Sequence, residues 1–417
     1  MSGLYWFCIA LMTDPDKFAW LIPFALFALT AVIALFSMVF VGLFFVIKKR
    51  LPIPNPQSLI PVILFATLWL LTEFARGHLF TGFPWNLAGY AFTIADAPLQ
   101  LASVVGIYGL TFITVLFAVM CVLGKRHIAL VCAIVISISG WGAYRLQQFP
   151  TEYVNGVKLR LVQANIQQHH KWDPELQMAG LREHVALTQS TGLEGITHVI
   201  WPETAVPYVV RENSTLGRRL GEVLLPNQYL LTGGLRMEPR GDDVDLYNSL
   251  MMFDSMGAMI GHYDKHGLVP FGEFLPFRFL IPKGWQTPVG DRDFARGAAN
   301  VTFDWKGLPP LTPLICYEVI FPQLAFGGEK HPEMLLSVTN DAWFGESSAP
   351  YQHLAMARMR AVEQGAPMVR VANTGITAVF DSYGREINRI PLGEQGILDV
   401  GLPKKSQNDT IFRLMFN

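Results

Sequence analysis

The stretch "LTPLICYEVIFP", Leu311 to Pro322, sets one cysteine at the end of an apolar run and follows it with Tyr317 and Glu318. Free cysteine is among the most buried residue types, so packing is the ordinary use of Cys316. The other reading is a thiol presented at a strand end, and neighbouring segments support it. Glu203 closes the strand-like run in "VIWPETAVP", and Asn340-Asp341 close the one in "SVTNDAWFG". Ligands of α/β sheets bind at the carboxyl ends of strands, so these residues are expected to converge on one edge. "HYDKHGLVPFGEFLPF" adds Lys265 and Glu273 in a Gly/Pro-rich loop.

The surrounding pattern predicts an α/β layered domain. "VKLRLVQANI" alternates as a strand does, and "THVIWPE" and "QYLLTGGL" are short apolar strands. "PELQMAGLREHVALTQS" and "YQHLAMARMRAVEQG" have helical spacing. "LYNSLMMFDS" and "AMIGHYDKH" read as a hairpin turning at Ser255-Met256-Gly257. "EMLLSVTND", "MVRVAN" and "ITAVFDSYG" are further strands. Strands alternating with helices give a layered α/β arrangement.

Upstream the composition changes. Residues 1–150 hold 12 of the 65 Asp, Glu, Lys and Arg side chains of this 417-residue chain. Phe18–Ile47, Leu51–Thr72, Ala97–Gly124 and Ile128–Tyr144 carry no charge. A span needs about 20 apolar residues. The first three runs reach that length, and the fourth is flanked by Lys125-Arg126 and Arg145, which can snorkel. The expected division is a transmembrane helical domain over 1–150, an α/β domain over 157–403 and a tail over 404–417.

The loops orient the bundle. "KKR" (Lys48–Arg50) and "GKRH" (Gly124–His127) are basic, whereas "RGHLFTGFPWNLAGYAFTIAD" has only Arg76 and Asp96. The positive-inside rule puts the basic loops in the cytoplasm and everything after Tyr144 on the outer face. In a bacterium that face is the periplasm or the cell exterior. Phe83, Trp85 and Tyr90 in the outer loop read as an interfacial aromatic belt. Glu73 and Arg76, three apart, are expected to pair on one helix face. The first long apolar run exceeds the h-region of a cleavable signal peptide.

Formal net charge of -1 excludes the basic excess of a nucleic-acid binder. Of Cys8, Cys121, Cys132 and Cys316, only the last lies in the polar half, so no disulfide framework forms there. The absence of a C-x-x-C pair argues against a thiolate zinc site. His169-His170 is a weak metal hint, and neither metal nor cofactor is expected.

Taken singly, Glu203 reads as a solvated strand end, Lys265 as a surface lysine and Cys316 as structural. Together they supply a base, a cation and a thiol. A thiol of ordinary pKa is a poor nucleophile at neutral pH. A carboxylate can take its proton and a lysine can stabilise thiolate or oxyanion. The backbone N–H of Tyr317 is the natural second oxyanion donor. A papain-type Cys–His arrangement is the competing mechanism, with His262, His266 or His353 as partner.

"WPE", "YDKHGLVPFGEFLP", "ICYE" and "NDAWFG" resemble the Glu-Lys-Cys blocks of the nitrilase superfamily. With membrane spans ahead, and with "TEFARG" and "TGFPW" among them, the chain resembles the apolipoprotein N-acyltransferase family from about Gly3 to about Phe412. The resemblance implies an αββα sandwich with a catalytic triad of Glu203 (general base), Lys265 (stabiliser of the tetrahedral intermediate) and Cys316 (thioester carrier). It also implies Glu273 as a supporting carboxylate, Tyr317 and Glu318 as supporting residues, and Trp172, Trp343 and Phe344 at substrate-binding positions.

The implied reaction moves an acyl chain from a phospholipid, typically phosphatidylethanolamine, to the cysteine. The α-amino group of the lipid-modified N-terminal cysteine of an apolipoprotein then attacks the thioester. The implied location is the bacterial inner membrane with the α/β domain on the periplasmic face. The apolar segment Phe274–Trp285 either dips into the interface or packs on the domain. Two upstream helices and a C-terminal anchor of the family are expected to be missing. A membrane-tethered amidase using water as acceptor, and an inactive scaffold that kept the triad by descent, are the alternative readings.

Overall fold

The computed structural model describes residues 3–13, 15–50, 59–168, 176–211, 214–280, 292–299 and 301–415. Among the described residues, four helices are long and apolar enough to cross a membrane: α1 (Ile22–Arg50), within a helical stretch from Pro15, α2 (Ile60–His78), α3 (Ala102–Val122) and α4 (Lys125–Gln148). The charge-free run 51–72 does not coincide with α2. Pro52, Pro54 and Pro56 each lack the N–H a helix interior needs, and α2 starts after them, with Pro61 tolerated in its first turn. It runs on past Glu73 and Arg76, which do pair.

The second half is a two-sheet sandwich. Its first sheet contains β1 (Tyr153–Gln163), β2 (His198–Ile200), β3 (Val206–Val209), β4 (Tyr229–Arg240), β5 (Asp243–Asp254), β6 (Met259–Asp264) and β12 (Gly396–Pro403). The order is β12-β1-β2-β4-β5-β6, with β3 against β4. The second sheet runs β11-β10-β9-β8-β7, from β7 (Leu311–Ile315), β8 (Met334–Thr339), β9 (Met368–Ala372), β10 (Thr377–Phe380) and β11 (Glu386–Ile390). β7, β8 and β9 are parallel. The hairpin expected at Ser255–Gly257 forms as β5–β6, and the longer β4–β5 hairpin turns at Gly241.

Alternation assigns the faces. Leu159 and Leu161 of β1 enter the core between the sheets with Leu336 and Val338 of β8. Val162 faces outward with Trp201 and Phe253, under α5 (Gln177–Gln189) and α6 (Thr215–Gly221). Leu335 and Phe380 face outward on the second sheet, under α7 (Ala349–Gln364). The layers are therefore helix, sheet, sheet, helix.

α7 is buried on both sides. Ala357 and Ala361 pack on the sheet, while Met359 and Val362 join Leu99, Ile107 and Leu110 of the helical half. Towards its C-terminal end such a helix leaves little solvent face on which to place charge. Its Arg360 and Glu363, both fully buried, pair at 2.7 Å. Glu363 Oε1 also accepts the Ile107 N–H at 2.7 Å. That N–H is an orphan donor because α3 breaks at Gly106, at φ 61° and ψ -177°. A carboxylate from the sandwich thus caps the second segment of a membrane-type helix. The short helix α8 (Ile411–Leu414) lays Phe412 over the break.

A Cβ at residue 106 would lie 2.1 Å from the Phe412 ring, in a backbone conformation disfavoured for L-residues. Gly106→Ala is expected to destabilise the folded chain by roughly 1–3 kcal/mol. This is measured as a lower thermal midpoint in detergent. An unchanged midpoint would mean that the break is not needed for the two halves to dock.

Candidate active site

Cys316 follows β7 directly and has φ 50°, a conformation uncommon for a residue with a Cβ. The chain then tightens into a 3₁₀ turn, Cys316–Ile320. Glu318, in that turn and fully buried, holds the bend. Its Oε2 accepts the Ile315 N–H at 2.6 Å. Its Oε1 accepts the Tyr263 hydroxyl and the His266 and Gly267 N–H groups, each at 2.8 Å. Those three residues bracket Lys265, so one carboxylate ties the cation's loop to the cysteine's turn. Burial pushes the Glu318 carboxyl pKa up, against the opposing hydrogen bonds.

Lys265 is 1% exposed. Its Nζ donates to Glu273 Oε1 at 2.9 Å and to Glu203 Oε1 at 3.3 Å. Asn248 Nδ2 bridges the same two oxygens, at 2.8 Å to Glu203 and 3.0 Å to Glu273. The second Glu203 oxygen accepts the Asn340 N–H at 2.9 Å, and the second Glu273 oxygen accepts the Val269 N–H at 2.9 Å. Burial lowers the Lys265 pKa, but the two carboxylates outweigh it and hold the ammonium protonated.

Glu203, Lys265, Glu273, Cys316, Tyr317 and Glu318 therefore lie together at the carboxyl edge of the strands. Burial and the Glu203 charge push the Cys316 thiol pKa up, and Lys265 pulls against them. The resting site is a neutral thiol beside a carboxylate, not a thiolate ion pair. Phe344 packs against Trp6 and Trp85, with ring centroids at 4.8 and 5.9 Å. Trp343 shares its 3₁₀ turn, Asp341–Phe344. Trp172, His169, His170 and Trp285 lie outside the described residues.

None of the three candidate histidines, all among the described residues, pairs with the Cys316 thiol. His266 Nδ1 meets the Gly297 carbonyl at 2.8 Å, and His262 lies 3.9 Å from Asp264. His353 Nε2 meets the Cys316 carbonyl oxygen at 3.1 Å, so it is committed to backbone.

Asn248 was not legible as a member of the site, and His353, expected only as a possible thiol partner, meets the Cys316 backbone instead. Asn248 reaches the site because β5 pairs with β6, and Lys265 N–H bonds the Asn248 carbonyl at 2.9 Å. Mid-strand position hid it. Nor do Phe83 and Trp85 form an aromatic belt. Trp85 is 2% exposed, and its Nε1 donates to Gln352 Oε1 at 2.7 Å. Arg76, paired with Glu73, also donates to the Phe83 and Trp85 carbonyls and holds the loop in shape, while Trp85 and Gly82 bond it to the sandwich.

Because the thiol pKa is raised, the thiolate fraction keeps growing through the mildly alkaline range. The iodoacetamide alkylation rate of Cys316, with Cys316→Ala subtracting the other cysteines, is expected to climb from pH 7 through pH 9 without levelling. A plateau below pH 8 would show a depressed thiol pKa and contradict this electrostatic reading.

Known proteins match the chain over nearly its whole length. Residues 1–120 match the apolipoprotein N-acyltransferase N-terminal domain, and residues 158–409 match the carbon-nitrogen hydrolase domain. The apolipoprotein N-acyltransferase of Rhodopseudomonas palustris is 39% identical over 97% of this chain and 78% of its own length. That of Rickettsia bellii is 37% identical over 99% of this chain and 82% of its own. Among solved structures, a Nesterenkonia amidase variant of the nitrilase superfamily matches with 19% identity and a TM-score of 0.44, over 63% of this chain and 95% of its own. On its family matches and its relatives, the chain belongs to the apolipoprotein N-acyltransferase family, a membrane-protein family with a carbon-nitrogen hydrolase domain.

Proposed function

We propose that this protein transfers an acyl chain from a phospholipid, through a Cys316 thioester, to the N-terminal amine of a lipid-modified apolipoprotein. The observation that carries the reading is the buried Lys265 ammonium, 3.3 Å from Glu203 and 2.9 Å from Glu273 beside a neutral thiol, in a chain of this family. In the first step Glu203 takes the Cys316 proton as Sγ bonds to the ester carbonyl carbon. The oxyanion that forms is stabilised by Lys265 and by the Tyr317 N–H. Collapse breaks the ester C–O bond, and the lysophospholipid leaves with the proton held by Glu203. In the second step the amine attacks the thioester, Glu203 accepts its proton, and the C–S bond breaks to return the thiol. Glu273 keeps Lys265 charged and in place.

Phosphatidylethanolamine is the proposed donor and S-diacylglyceryl-cysteine the proposed acceptor. Both are membrane-anchored, so a site held at the bilayer raises their effective concentration. Phe271, Phe277 and Phe279, at 62%, 65% and 82% exposure in the segment that carries Glu273, suit a lipid entrance. The proposed location is the bacterial inner membrane with the sandwich on the periplasmic face. Helix direction supports this. Residues 3–9, upstream of α1, contact the sandwich, and α4 leads directly into it. Lys48–Arg50 and Lys125–His127 then fall at the opposite end of the bundle, where the positive-inside rule sets the cytoplasm.

Incubation with phosphatidylethanolamine should add one acyl mass to the intact protein, and hydroxylamine should remove it. Cys316→Ala should show no adduct. Glu203→Gln should slow its appearance by about 10²–10⁴-fold, the usual contribution of a general base. Adding a diacylglyceryl-cysteine peptide should discharge the adduct into amide. Absence of the adduct in folded protein would sink the acyltransfer mechanism, and discharge to free fatty acid alone would indicate a hydrolase.

A further inference from the structure

The Cys316 peptide is held through its carbonyl oxygen. His353, on α7 and fully buried, meets the Cys316 carbonyl oxygen through Nε2 at 3.1 Å. Its Nδ1 lies 3.1 Å from Arg370 Nη2 and 3.0 Å from Asp341 Oδ1. Arg370 also donates to Asp341 Oδ2 at 2.6 Å, and Thr339 Oγ1 donates to Asp341 Oδ1 at 2.8 Å. Trp85 stacks on the imidazole at 5.6 Å, and Phe344 meets it edge-on at 5.9 Å.

The hydrogen bonds assign the proton. A neutral imidazole has one N–H. The Cys316 carbonyl can only accept, so the N–H on Nε2 donates to it, while Nδ1 faces both the Arg370 donor and the Asp341 carboxylate. Burial and the Arg370 charge both lower the His353 pKa, in keeping with a neutral ring. Burial alone would raise the Asp341 pKa, but the Arg370 charge outweighs it and helps hold it down at about 2. The ion pair is thus Asp341–Arg370, and the imidazole serves as a fixed donor.

The consequence lies across the peptide bond. The carbonyl of Cys316 and the N–H of Tyr317 belong to one planar trans unit and point in opposite directions. Holding the oxygen aims the N–H. A donor on the carbonyl also polarises the amide and strengthens its N–H as a donor.

We propose that His353, oriented by Asp341 and Arg370, is a positioning residue that aims the Tyr317 N–H at the oxyanion of the acyl-transfer step. This rests on Cys316 being the nucleophile, as proposed above, and adds a residue that touches neither substrate nor Sγ.

Alkylation separates this role from a general packing role. Attack of Sγ on iodoacetamide forms no oxyanion, whereas attack on an ester does. In the full-length protein, His353→Ala is expected to lower the rate of Cys316 acylation by about 10²-fold, within the range for loss of an oxyanion donor. KM should change less than about 2-fold, and Cys316 alkylation should stay within about 3-fold of the parent. His353→Gln, whose amide can donate to the carbonyl, should recover most of the acylation rate. If His353→Ala does not fold, His353→Phe fills the aromatic slot without a donor and is expected to give the same split. Parallel loss of acylation and alkylation would reduce His353 to a packing residue and overturn the proposal, as would unchanged acylation. Acyl transfer surviving in Cys316→Ala would instead remove the thioester reading on which it stands.

Discussion

A lysine ammonium at 1% exposure is the constraint around which this site is built. A charge taken out of water persists only if it is paired and its partners are themselves satisfied. Lys265 meets that demand with Glu203 and Glu273, and the demand then spreads. Two carboxylates sharing one cation need further donors. They find them in the Asn248 side chain and in the Asn340 and Val269 N–H groups. These donors come from β5, from the end of β8 and from the loop after β6. One buried charge therefore fixes both sheets relative to each other at the edge where Cys316 emerges. The Glu318 carboxylate repeats the device on the other side, linking the Lys265 loop to the Cys316 turn.

The same electrostatics bear on mechanism. A papain-like pair would store a thiolate against an imidazolium. Here the imidazole is turned to the backbone, and the thiol pKa is raised by burial and by the Glu203 charge. In the proposed reaction the proton would move during attack, with Lys265 neutralising charge that develops on the substrate. Such a site is quiet until an acyl carbonyl enters. That would suit the proposed phospholipid donor, an abundant ester, since a stored thiolate would be open to side reactions.

Much of this could be read from the chain, and the reason is local. Glu203, Cys316 and Asn340-Asp341 stand where an apolar strand pattern stops, so their shared edge follows from the fold class. Lys265 and Glu273 were legible as a polar pair in a Gly/Pro-rich loop. The sandwich layering came from the family resemblance, since periodicity alone reaches only an alternating α/β order. What stayed hidden depends on non-local pairing. Asn248 is an ordinary mid-strand polar residue until β5 and β6 are in register. His353 could be named as a candidate partner of the thiol, but its hold on the Cys316 carbonyl shows only once α7 lies behind β7. Trp85 has the composition of a belt residue, and only docking of its loop shows it buried.

That docking alters what the helical half is for. Gly82, in the loop after α2, accepts the Tyr317 hydroxyl through its carbonyl at 3.0 Å. Three residues on, Trp85 covers the ring of His353. Tyr317 directly, and the Cys316 carbonyl through His353, are thus both held from a loop whose shape is set by Arg76 at the end of α2. An anchor that only kept the sandwich near lipid would need none of these contacts. Buried aromatic packing and directed hydrogen bonds transmit displacement because a close-packed interior has no slack to absorb it. A shift of the α2–α3 loop would therefore reach the proposed oxyanion donor, which would make the helical half a component of the proposed site as well as its tether.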